Sequence, residues 1–275
     1  MSDAQSETRL TIGVRDSGVG GLTVAREIKK VLPDARILYF ADTAHVPYGE
    51  RSADEVRHYA LSISRFLLQR GAQILVFACN TSSALALDLA RQTFAVPIVG
   101  TIEPGARAAF EETKNNRIGI LATHATVESG VYSQTIKQLD SQIESCEIAC
   151  PQFVPLVENE RTQSPEALCA AREYLQPLID FGADAVVLGC THYPLLLEVL
   201  REIAPQMNFV DPACAVAAEV QTLAQKYAVI PAYFADDEFF ASGESHGVSR
   251  WIEKLLPQSA NEVQSAPVFD LEKLG

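Results

Sequence analysis

No apolar run in this 275-residue chain is long enough to cross a bilayer. The densest runs, Ile74 to Ala78 and Ala185 to Leu188, have the length of buried strands. Met1 to Arg9 is polar and lacks both the basic start and the apolar stretch of a signal peptide, so the chain reads as soluble and cytoplasmic. Basic side chains are outnumbered: Lys+Arg 22 against Asp+Glu 35 leaves a formal net charge of -13. Such a field repels phosphate backbones and anionic lipid, which argues against nucleic acid and membrane surfaces as partners. The six cysteines are far apart, with no CxxC pair and no Cys/His spacing suited to zinc, which argues against a disulfide framework or a structural metal. No Walker lysine and no G-x-G-x-x-G follow the glycines Gly18, Gly20 and Gly21, so a nucleotide loop is not expected there. A sharp turn before a helix starting near Leu22 explains those glycines more simply.

The chain does hold 48% hydrophobic residues, enough for one large or two medium α/β units. Short apolar runs (Thr11 to Val14, Arg36 to Phe40, Gln73 to Ala78, Pro97 to Val99) alternate with amphipathic stretches. In Ala53 to Gln69, for instance, Val56, Tyr59, Ala60, Ile63, Phe66 and Leu67 recur at helical spacing. Alternation of this kind predicts a parallel sheet covered by helices. A second series follows at Arg117 to Leu121, Cys146 to Ala149, Asp184 to Leu188 and Met207 to Val210. Gly71-Ala72 leads a run ending at Cys79, Gly182-Ala183 leads one ending at Cys190, and Ile98-Val99 matches Phe209-Val210 at the same offset. The fold class expected is therefore α/β with two similar, pseudo-symmetric lobes. The lobe boundaries expected are 1–100 plus 211–275 for the first and 101–210 for the second.

Duplication would place Cys79 and Cys190 at equivalent strand C-termini, the edge where open α/β sheets bind ligands. Helix N-termini there would lower a thiol pKa and receive a carboxylate; for any single cysteine, a buried structural role is the simpler reading. Cys146, Cys150, Cys169 and Cys214 stay in that simpler class. Asp16, Glu158 and His192 stand near enough in pattern to tune or serve the two thiols, although each also fits a capping, loop or wall position.

Six segments standing in order, together with Ala241-Ser242-Gly243, resemble the glutamate racemases. They are Asp16-Ser17-Gly18-Val19-Gly20-Gly21, Asp42-Thr43 with Val46-Pro47-Tyr48-Gly49, Cys79-Asn80-Thr81, Ile102-Glu103-Pro104-Gly105, Val154-Pro155-Leu156-Val157-Glu158 and Gly189-Cys190-Thr191-His192-Tyr193-Pro194-Leu195. The resemblance implies a cofactor-independent, metal-free two-base isomerase in which one cysteine removes the α-proton of glutamate and the other reprotonates the opposite face. Cys79, assisted by Asp16, would act on D-glutamate; Cys190, assisted by His192 and Glu158, on L-glutamate. Asp16, Ser17, Tyr48, Gly49, Asn80, Thr81, Thr126, Thr191 and His192 would bind the substrate. The resemblance further implies a homodimer, supply of D-glutamate for bacterial peptidoglycan and cell shape, and activation by a UDP-muramoyl-peptide, the last attached here to the residues before Leu10. An aspartate or other amino-acid racemase of the same superfamily, and a thiol-based binding or redox module that has lost racemisation, are the competing readings. Two residues depart from the pattern. His124 is unusual in its threonine-rich loop, and Arg15 replaces a usually apolar residue, either pairing with a carboxylate and depressing Asp16 or pointing out of the strand end.

Overall fold

Strands and helices alternate from the first described residue onward. The computed structural model describes residues 10–226, 236–259 and 261–270; the segment before Leu10, to which the activator expectation was attached, lies outside the described residues. In order, the first half runs β1 (Thr11–Asp16), α1 (Leu22–Val31), β2 (Arg36–Ala41), α2 (Ala53–Gln69), β3 (Ile74–Phe77), α3 (Asn80–Thr93), β4 (Ile98–Val99) and α4 (Ile102–Glu112). Next come β5 (Arg117–Ala122), α5 (His124–Ser129), α6 (Val131–Leu139), β6 (Glu144–Ala149), α7 (Phe153–Glu158), α8 (Pro165–Phe181), β7 (Ala185–Gly189), α9 (Leu197–Ile203) and β8 (Asn208–Val210). The chain ends with α10 (Pro212–Lys226), β9 (Glu238–Ala241), α11 (His246–Leu255) and β10 (Val263–Ser265).

Local chemistry sets the helix limits. α2 opens on a capping box, with the Ser52 hydroxyl accepting from the Glu55 amide and the Glu55 carboxylate accepting from the Ser52 amide. α8 opens on Ser164 and Pro165 and stops at Gly182, whose φ of 77° is cheap only for glycine. Both strands and helices then bury their apolar faces, which is where most of their stability originates.

The strands form two sheets, ordered β10-β9-β2-β1-β3-β4 and β6-β5-β7-β8. Every pairing is parallel. The run β2-β1-β3-β4 has the same order as β6-β5-β7-β8, so β1 answers to β5 and β3 to β7. The two similar lobes expected from the repeated pattern are present. In the first sheet, Ile12 and Val14 pack with Leu22, Val24 and Ile28 of α1 and Val216 of α10. Leu38, Phe40, Leu75 and Phe77 face the other way, against Tyr59, Ile63 and Leu67 of α2. Gly13 lies on this second face, where a β-carbon would come within 3.0 Å of Ala72 and Leu75. Strand alternation puts Arg15 there too.

The sequence pattern missed β9 and β10. β9 pairs with β2, and β10 extends the sheet beyond it. After β10 the chain crosses the α2 face, where Phe269 meets the rings of Phe40 and Phe66. Among the described residues, no helix is long and apolar enough to cross a membrane.

Candidate active site

Three parallel strands deliver polar residues from their C-terminal ends: Asp16 closes β1 and Cys79 follows β3 at the start of α3 in one sheet, and Cys190 follows β7 in the other. This is the edge where strand order in open α/β sheets leaves a crevice. Cys79 and Cys190 line one small, nearly closed cavity between the two sheets. Ser17, Tyr48, Gly49, Asn80, Thr81, Thr191 and His192, all expected at the site, line the same cavity.

The surroundings of the two thiols differ. Cys190 Sγ lies 3.7 Å from His192 Nδ1, and His192 Nε2 lies 2.7 Å from Glu158 Oε1. Burial opposes a charge on His192, but the hydrogen bonds and charges of Cys190 and Glu158 outweigh it and raise the imidazole well above its ordinary value. Glu158 responds in reverse: burial works to raise it, and the hydrogen bond and charge of His192 hold it below the usual carboxylate range. On the opposite side, burial pushes the Cys79 thiol up, and the nearby Asp16 carboxyl adds to the rise. The pull of the helix N-terminus, through the Ser82 amide, is outweighed there. That overturns the expectation of a lowered thiol pKa at Cys79. Nor does an α-helix start directly at Cys190; a 3-10 turn, Tyr193–Leu196, intervenes before α9.

Asp16 bridges the lobes. Its Oδ1 accepts from the Thr191 hydroxyl at 3.2 Å and its Oδ2 from the Gly18 amide at 3.1 Å. Burial raises its carboxyl above the ordinary value, against the pull of His192, the Gly18 and Gly21 amides and Arg15. Thr81 and Thr123 share a hydrogen bond of 2.9 Å across the cleft. Thr126 stands one layer back, fully buried and 2.9 Å from Thr123 Oγ1. Thr123 itself lines the cavity, as does Val154. Tyr132, absent from the expected site, donates a 2.7 Å hydrogen bond to Asn80 Oδ1 and so fixes the amide from the other lobe. His124 is exposed.

Two expectations about the first loop change. The chain turns through 17–21 into α1 at Leu22 as expected, but Gly18, Gly20 and Gly21 all keep negative φ, so freedom of φ is not what calls for glycine there. Space is: a β-carbon on Gly18 would come within 2.7 Å of Glu158 Oε1, and one on Gly20 would strike the Thr191 hydroxyl and come within 2.8 Å of His192 Nδ1. Arg15 does not leave the strand end, and among the described residues it pairs with no carboxylate. Its side chain is fully buried, with the guanidinium carbon 4.8 Å from the Phe77 ring centre, and Asp16 beside it is raised rather than depressed.

Residues 22–220 match the model of the Asp/Glu/Hydantoin racemase family. The chain belongs to that family. Within it, the chain is 47% identical over 240 residues to the glutamate racemase of Desulforudis audaxviator, covering 87% of this chain and 86% of that one. The crystal structure of the glutamate racemase isoform RacE1 from Bacillus anthracis superposes with a TM-score of 0.87 at 33% identity, covering 96% of this chain and 99% of that one. Escherichia coli glutamate racemase, solved with L-glutamate and the activator UDP-MurNAc-ala, superposes with a TM-score of 0.79 at 31% identity over 94% of this chain and 97% of that one. This family member is accordingly a racemase, built on the two-lobed fold of the structures it superposes on.

Proposed function

We propose that this racemase interconverts L- and D-glutamate by a two-base mechanism in which Cys79 and Cys190 serve opposite faces of one α-carbon, without a cofactor. The supporting observation is that two cysteines from equivalent strand ends of two similar lobes line a single cleft, together with neutral hydrogen-bonding side chains from both lobes. The division proposed is 1–100 plus 211–275 for one lobe and 101–210 for the other, a reading that the sheet membership of the described strands supports. From L-glutamate, Cys190 takes the α-proton with its charge held by the His192 imidazolium, and Glu158 secures that imidazolium from the far side. Cys79, kept neutral by burial and by Asp16, delivers a proton to the opposite face. In the return direction the two thiols exchange tasks, and Asp16 takes up the proton that Cys79 must lose.

No pyridoxal phosphate spreads the carbanion charge in this scheme, so stabilisation falls to fixed donors. Ser17, Asn80, Thr81 and Thr191, with the Gly49 backbone, provide neutral donors for the substrate carboxylates in an otherwise acidic protein. The role proposed with it is supply of D-glutamate for peptidoglycan in the cytoplasm. The test is circular dichroism of purified protein with L-glutamate and, in parallel, L-aspartate. Loss of optical activity with glutamate alone supports the reading; turnover of aspartate alone selects an aspartate racemase, and turnover of neither favours a binding module.

A further inference from the structure

β1 brings Arg15 into register with Phe40 of β2 and Phe77 of β3, on the face that α2 covers. A guanidinium keeps its charge at any physiological pH, so burying one demands compensation. Among the described residues, none of its nitrogens forms an ion pair with a carboxylate, and Nε and Nη1 have no hydrogen-bond partner. Aromatic faces take the place of an anion: the guanidinium carbon stands 4.8 Å from the centre of Phe77 and 5.7 Å from that of Tyr48. The one polar contact is directed. Arg15 Nη2 donates to Tyr48 Oη at 3.3 Å, and Tyr48 Oη donates to Asp42 Oδ2 at 2.5 Å. Asp42 is itself saturated, accepting from the Ser242 hydroxyl at 2.7 Å and lying 2.9 Å from His45 Nδ1. Tyr48 lines the cavity beside Cys79, two residues beyond Phe77.

We propose that Arg15 is a positioning residue for the proton transfer at Cys79: a fixed cation without a carboxylate of its own, which braces Tyr48 in the cavity wall and favours the charged form of the Cys79 thiol. Besides burial, Asp16 and Cys190 oppose the charge on that thiol, and Arg15 and the Ser82 amide support it. Tyr39 and Tyr48 also face it, both held neutral by burial. Among these described groups Arg15 is the cation, and it works against the rise that burial chiefly, and Asp16 after it, impose on the Cys79 thiol. Cys190 has His192 for the same purpose, so each thiol is served by its own cation, one fixed and one able to titrate.

A reaction at Cys79 rests on the two-thiol reading, but the decisive measurement does not require turnover. L- and D-glutamate have equal free energies, so kcat/KM is the same in both directions and cannot single out one thiol. Alkylation by iodoacetamide as a function of pH, resolved by peptide mass spectrometry, does. Arg15→Met is expected to move the Cys79 midpoint upward by about one unit, a tenfold loss of thiolate at a given pH, and to leave the Cys190 midpoint in place. Arg15→Gln, which retains a donor toward Tyr48 but no charge, is expected to give the same shift and serves if the Met variant does not fold. A folded neutral variant with an unmoved Cys79 midpoint, or with equal shifts at both thiols, overturns the proposal. A shift confined to Cys79 in protein that racemises nothing would uphold Arg15 and defeat the racemisation reading instead.

Discussion

Gly20 lies so close to Thr191 that a methyl group on its α-carbon would overlap the threonine hydroxyl. The first residue follows β1 and the second follows β7, so this contact joins the two lobes at the cavity. Gly20→Ala forces them apart or displaces Thr191 and His192 with them. Overpacking of this kind costs about 1–3 kcal/mol, and kcat/KM is expected to fall by about 10- to 100-fold. Steady-state racemisation measured beside the thermal midpoint checks it; unchanged kcat/KM would show that the lobes do not need this approach.

Glu158→Gln removes the anion behind His192. The raised His192 contributes stability that is fully present below its ordinary imidazole value and is lost as pH rises through the raised one. The lowered Glu158 contributes stability present above its ordinary carboxylate value and lost as pH falls through the lowered one. The pair therefore stabilises most at intermediate pH. The Gln variant is expected to lose about 1–3 kcal/mol near neutrality and less at either extreme, and the alkaline limb of its kcat/KM profile should move to lower pH. Denaturant titrations across pH and a pH–rate profile test both parts, and an alkaline limb in the wild-type position contradicts the assignment of His192.

Tyr132→Phe leaves the Asn80 side-chain oxygen buried without its donor. The expected cost is about 1–3 kcal/mol, seen partly as a lower thermal midpoint and partly as a several-fold rise in KM for glutamate. A rise in KM without loss of stability is the outcome if Asn80 is ordered by substrate alone.

His45 ties the C-terminal strap to the cavity wall. Its ring nitrogens lie 2.9 Å from Asp42 and 3.1 Å from Asp270, and the hydrogen bond to Asp42 leads the causes that raise its pKa. Asp270→Asn weakens a contribution that is present below the ordinary imidazole value and lost as pH rises through the raised one. Because Asp270 is partly exposed, the expected loss is about 0.5–1 kcal/mol at pH 6 and close to nothing at pH 9. Urea unfolding at the two pH values decides it, and equal losses at both would remove the titrating link.

Much of the lobe architecture was legible in the sequence because parallel strands buried on both faces read as short continuous apolar runs, and because α2 shows its periodicity and cap directly. β9 and β10 were not legible. Glu238 to Ala241 gains its identity from pairing with β2, about two hundred residues away, and Val263 to Ser265 is mostly exposed and has no apolar pattern. The same limit applies at the site. Cys79 and Cys190 announced themselves by repeating at equivalent strand ends, whereas Tyr132 reaches Asn80 across 52 positions and carries no local signal. The glycines were visible, but their reason was not: close approach between lobes is a property of the folded pair. Arg15 was visible as an oddity, and only the packing of Phe77 and Tyr48 around it shows where its charge resides.

Deuterium incorporation during racemisation in D₂O tests the central claim most directly. Starting from L-glutamate and sampling early, mass spectrometry and NMR of the separated enantiomers report where the label enters. Two opposed thiols predict D-glutamate carrying deuterium at the α-carbon while the remaining L-glutamate keeps its proton, with the mirror result from D-glutamate. Deuterium appearing in unreacted L-glutamate ahead of inversion, or D-glutamate retaining the original proton, would mean that a single base serves both faces and would contradict the pairing of Cys79 with Cys190.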